Sequence, residues 1–165
     1  MSSRELEPTV KQSVLDRLID NAPAHAQDAP TSWADSVRHL RNAVRRDLEW
    51  LLNTRRIIYL APAELPETRA SVYHYGLPDI TSLSGDSHDT PIRLARQIEE
   101  TIAAFEPRLS SVRVRQGESD ADARHQIRFI IEALLDMEPD PERVVFDTVL
   151  EVSSGDFDVG SGTDA

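Results

Sequence analysis

The chain has 165 residues, 39% of them hydrophobic, which is enough for the core of one domain with polar ends to spare. Its formal net charge of −11 excludes nucleic acid as the principal partner, because phosphate binding needs a basic field. Zero cysteines exclude disulfides, zinc–thiolate sites and thiol nucleophiles together.

Residues 1–31 read as a flexible N-terminal arm, polar and broken by prolines, with one short docking segment at 13–19. Within it Val14, Leu15, Leu18 and Ile19 fall at helical spacing and form a small apolar face. A helix this short orders mainly by docking, either on a partner or back onto its own domain. Ser32 then opens a capping box with Asp35, and Val37, Leu40, Val44, Leu48 and Leu51 recur at three- and four-residue steps, predicting a helix over 33–53. Arg38, Arg41 and Arg45 run beside that stripe. Of the 18 basic residues all but Lys11 are arginine, which suits interfaces but also follows from codon bias in a GC-rich genome.

From 56 to 89 the chain is repeatedly interrupted by proline and glycine, and 71–75 reads at most as a short strand or turn. So long an irregular stretch in a small domain is a functional or covering loop. Thr90 and Pro91 restart a helix over 91–105, with Ala95, Ile98, Ile102 and Phe105 as its stripe and Pro107 as its stop. The period then changes to two. Strands are predicted at 110–116, 125–137, 143–152 and 156–160, followed by a disordered tail at 161–165. The fold class is α+β: an antiparallel sheet of about four strands with two main helices packed on it, as a single domain over 32–160.

The chemistry that such a chain could carry is sparse. There is no glycine-rich phosphate loop, no paired-histidine metal spacing and no serine elbow, and the five histidines are scattered, so no cofactor or metal is expected. Two carboxylates could in principle cleave a glycosidic bond, with Glu106 as acid and Asp147 or Glu151 as partner. Arg108 beside Glu106 opposes that, because it favours the ionised carboxylate. No apolar run spans a bilayer and no cationic-then-apolar segment opens the chain, so a cytoplasmic protein without membrane insertion is expected.

Several segments stand in a telling order: SVLDRL at 13–18, RDLEWLLNTRR at 46–56, YGLPD at 75–79, FEPRL at 105–109 and FDTVLEVSSGDF at 146–157. Over residues 13 to 160 this resembles the TssE family, the small baseplate subunit of bacterial type VI secretion systems, itself similar to the baseplate wedge protein of contractile phages. FEPRL and LLNTRR are its most specific pieces. The resemblance implies a non-enzymatic role in a cytoplasmic wedge, with partners of the TssF, TssG and TssK type and with sheath subunits. It implies that Glu106, Pro107 and Arg108 contact neighbouring wedge subunits and that the sheet starts sheath polymerisation by offering strand edges. Phage relatives were once labelled lysozyme-like, which keeps a peptidoglycan-cleaving enzyme as the alternative. The arm's Val14, Leu15, Leu18 and Ile19 complete the expected partner-binding residues, and Glu106→Ala and Arg108→Ala are expected to leave folding almost intact.

Overall fold

The computed structural model describes residues 10, 12–19, 23, 32–80, 90–118 and 125–162. Residues 163–165 of the expected tail, most of the expected arm and 81–89 of the long loop lie outside these, whereas Ser161 of that tail belongs to a strand and the Gly162 amide donates to the Val145 carbonyl at 2.9 Å. Two long helices, α2 (Trp33–Asn53) and α4 (Thr90–Phe105), accompany the short α1 (Val14–Leu18) and α3 (Pro66–Arg69). Four strands follow: β1 (Leu109–Gln116), β2 (Gln126–Leu135), β3 (Glu142–Glu151) and β4 (Asp156–Ser161). They form one antiparallel meander in the order β1-β2-β3-β4. The predicted α+β class is the observed one. Segment 71–75, read as a strand or turn, holds a 3-10 turn at Val72–His74.

The cap expected at Ser32 forms, and Ser13 caps the short α1 in the same way. Ser32 accepts from the Asp35 amide at 3.2 Å, and Ser13 accepts from the Asp16 amide at 3.1 Å. The core lies between the helices and one sheet face. Leu48, Leu51, Ile98 and Ile102 are buried there with Phe129, Ile131 and Leu135 of β2, Phe146 and Leu150 of β3, and Val159 of β4. Alternation does the sorting, since successive strand residues face opposite sides. The opposite face carries ion pairs, Glu132 with Arg115 and Arg143, and Asp147 with Arg128.

The irregular stretch after α2 is clasped to that helix's end. Leu77 donates to the Thr54 carbonyl at 2.9 Å and accepts from the Arg56 amide at 2.7 Å, forming an isolated parallel bridge between Arg55 and Leu77. Gly76 makes this possible: its φ is +100° and a Cβ there would stand 2.2 Å from the Thr54 oxygen. His74 is buried and its Nε2 accepts from the Ala61 amide at 2.9 Å, a packing role for a histidine that the sequence left without a ligand pattern. Among the described residues no helix is long and apolar enough to cross a membrane.

Candidate partner-binding site

The Glu-Pro-Arg segment is the turn from α4 into β1. The Glu106 amide makes the last helical bond to Ile102 at 2.9 Å, and Leu109 then donates to the Glu106 carbonyl at 3.1 Å, closing a β-turn with Pro107 at its second position. Proline fixes φ there, so the two flanking side chains leave in set directions. Those directions converge. Arg108 Nε donates to Glu106 Oε1 at 2.7 Å, Arg108 Nη2 to Glu106 Oε2, and the Arg108 amide to Glu106 Oε1 at 3.2 Å. Pro107 itself is exposed, whereas Glu106 is 5% exposed.

Arg108 reaches further. Its Nη2 donates to Asp47 Oδ2 at 2.6 Å, and its Nη1 lies 3.9 Å from Asp16 Oδ2. Asp16 also accepts from Arg46 at 2.9 Å, Arg46 bonds Asp47 at 2.7 Å, and the Arg46 guanidinium sits 4.9 Å above the Trp50 ring. Three carboxylates thus enclose two guanidiniums, drawn from α1, α2 and the Glu106–Leu109 turn. Tyr75 borders the cluster, its ring edge-on to Phe105 at 5.5 Å.

Proton affinities follow from this geometry. Arg108 is held above its ordinary value, chiefly by the Glu106 hydrogen bond and then by Asp47, with burial acting the other way. Burial raises the Tyr75 hydroxyl, and the charges of Asp47 and Glu106 add to it. For Asp16 burial acts upward but is outweighed by the Ser13 hydrogen bond and by Arg46, so the carboxyl lies below its usual range. Arg108 and Asp16 are thus held in their charged forms and Tyr75 in its neutral form.

The described part of the arm touches the domain. Val10 packs against the core, and Asp16 ties α1 by its polar side to Arg46 of α2. Its apolar side nonetheless points away: Val14 is 72% exposed and Leu18 77%, with Leu15 and Ile19 also exposed. The structure therefore gathers Glu106, Arg108 and the docking segment into one region, and it adds Asp16, Arg46, Asp47 and Tyr75, which sequence reading did not single out. Their signal was present: each belongs to one of the ordered segments, and Asp16 closes a capping box. Asp147 and Glu151, the considered partners of Glu106, stand elsewhere, on the open sheet face, with Arg128 and with Gln126 and Ser153 respectively.

The remaining segments interlock beside this cluster. Asn53 donates to the Phe157 carbonyl and accepts from the Phe157 amide, both at 2.8 Å, and Arg55 donates to the Ser154 carbonyl at 3.2 Å. LLNTRR thus ties together YGLPD and SSGDF.

Residues 38–140 match the family of baseplate wedge protein gp25, and the chain belongs to that family. A solved chain from the baseplate complex of the type VI secretion system is similar over 68% of this chain and 94% of its own, with 18% identity and a TM-score of 0.47. No curated protein matches the chain.

Proposed function

We propose that the protein is a non-enzymatic structural subunit of a type VI secretion baseplate wedge of the TssE kind, working in the cytoplasm. It binds wedge subunits of the TssF, TssG and TssK type and starts sheath polymerisation by offering a strand edge. The observation that carries this reading is the placement of α1. The ionic cluster holds the helix by Asp16 while Val14, Leu15, Leu18 and Ile19 remain outward, a preformed apolar ridge of the sort that enters a partner's groove. Glu106 and Arg108 position that ridge from beneath, and Pro107 is exposed beside it.

The test is Leu15→Asp with Leu18→Asp. Both side chains are exposed, so the melting temperature should stay within about 2 °C, since surface changes are usually within ±0.5 kcal/mol. Recovery of wedge partners in a pull-down should fall to background and sheaths should fail to assemble in cells. Normal recovery and normal sheaths would refute the reading. Purified protein incubated with peptidoglycan should release no soluble muropeptides above buffer; release that disappears in Glu106→Gln would restore the enzymatic alternative.

A further inference from the structure

Between the end of α2 and Leu77 the chain carries apolar surface that neither the core nor the ionic cluster uses. Ile57, Ile58, Tyr59 and Leu60 are four consecutive apolar residues and all are exposed, Ile58 at 86% and Tyr59 at 78%. Both ends of the run are pinned. The Arg56 amide donates to the Leu77 carbonyl at 2.7 Å, and the Ala61 amide donates to Nε2 of the buried His74 at 2.9 Å. The arch between these points is held in place, so engaging it costs little ordering entropy.

Beside the arch the surface is hollow. Ile57, Val72, Tyr73 and Tyr75 line an open cleft of about 460 Å³ together with Thr54 and Arg55. Val72 is 89% exposed, and Tyr73 and Leu65 are exposed as well. A fully exposed side chain of this size offers about 150–250 Å², so the arch, Leu65, Val72 and Tyr73 leave roughly 800 Å² of apolar side chain open. The largest apolar patch on a typical monomer is only about 300–600 Å². One partner of a standard interface buries about 800 Å², so this face is large enough for one specific contact.

Shape and charge decide what covers it. Arg56 and Arg69 have no ion-pair partner among the described residues, and neither have Glu64 and Glu67, whereas the neighbouring Arg55 pairs with Asp79 at 3.6 Å. Arg69, Glu64 and Glu67 are exposed and Arg56 is half-buried. One face therefore carries a projecting arch and a cleft, bordered by free charges of both signs. Across a two-fold axis each residue i meets j while j meets i, so a surface holding both members of each complementary set matches itself. A partner of another sequence needs only one member of each set on this chain.

We infer that this face binds a second copy of the chain as an isologous dimer. The Ile58–Tyr59 arch of one protomer enters the cleft beside Val72 and Tyr73 of its partner, and Arg56 and Arg69 face Glu64 and Glu67 across the axis. The inference is independent of the wedge reading, whose apolar ridge lies on α1. Sedimentation equilibrium of the full-length chain tests it, with every variant first checked for an unchanged melt. A reversible dimer of micromolar or tighter affinity is expected. Ile58→Asp with Tyr59→Asp should weaken it at least about a hundredfold, whereas Leu15→Asp with Leu18→Asp should leave it unchanged. Arg56→Glu with Arg69→Glu leaves only carboxylates among the four border charges, and Glu64→Arg with Glu67→Arg leaves only cations. Each of these variants alone should dimerise at least about tenfold more weakly, and their equimolar mixture should recover the parent affinity. A chain that stays monomeric through the micromolar range overturns the proposal and leaves the face to a partner of another sequence. A dimer that survives Ile58→Asp with Tyr59→Asp, or that is lost with Leu15→Asp and Leu18→Asp, places the contact elsewhere and overturns it too. A mixture of the two charge variants that stays monomeric overturns the two-fold pairing on which the proposal stands.

Discussion

Arg108→Ala is the most informative single change. It removes both side-chain bonds to Glu106 and the bond to Asp47 at 2.6 Å, leaving a carboxylate that is 5% exposed with only the residue-108 amide as donor. Breaking a buried pair by removing one partner costs about 3–5 kcal/mol, and since the Arg108 side chain is 21% exposed the lower end, about 3 kcal/mol, applies. Glu106→Gln keeps the shape but turns an amide donor toward a guanidinium donor, for about 1.5–3 kcal/mol. The double variant Glu106→Ala with Arg108→Ala removes both charges together, and the cycle should return a coupling of about 1.5–3 kcal/mol. Against a total stability of about 5–15 kcal/mol these are large fractions. Urea denaturation followed by tryptophan fluorescence reads them directly, with Trp50 lying under Arg46 in the cluster. The structure thus revises the expectation that these substitutions leave folding intact, because the pair's partners are internal. If Arg108→Ala costs less than about 1 kcal/mol and still abolishes sheath assembly, the pair faces a partner and the argument from burial fails.

Asp16 has a depressed pKa in the folded protein, so its contribution is present above the ordinary aspartate value of about 4 and is lost as pH falls through the lowered one. Acidification below about pH 4 should therefore release α1 before the core melts, seen as faster amide exchange over 14–18, and Asp16→Asn should show that faster exchange already at neutral pH. Gly76→Ala should destabilise by about 2 kcal/mol or more, since the position combines φ +100° with a Cβ placed 2.2 Å from the Thr54 oxygen; a melting temperature within about 1 °C of the parent would refute the clasp. Thr148 is fully buried with its hydroxyl unpaired, so Thr148→Val should be neutral or stabilise by up to about 1 kcal/mol in urea titration, and a marked loss would mean the hydroxyl has a partner.

The two helices, the change to period two after Pro107 and the sheet were legible because each is written in local spacing. Apolar residues at three- and four-residue steps can face a core only as a helix, and the alternation at 127–135 buries Phe129, Ile131, Ala133 and Leu135 only as a strand. The capping box at Ser32 is equally local. Periodicity has no means of expressing which charge meets which. Asp47 and Arg108 are 61 positions apart and Asp16 and Arg46 are 30 apart, and only the packing of α2 beside the turn into β1 brings them together. The same holds for Asn53, whose value as a strand mimic depends on β4 lying against it 104 positions later. A buried Glu106 was unreadable for a related reason. In sequence it is a charge at a helix end, where carboxylates are disfavoured; the turn at Pro107 brings Arg108 to it locally, but only the tertiary structure adds Asp47 and Asp16 and supplies the low-dielectric setting in which the pair holds a helix in place.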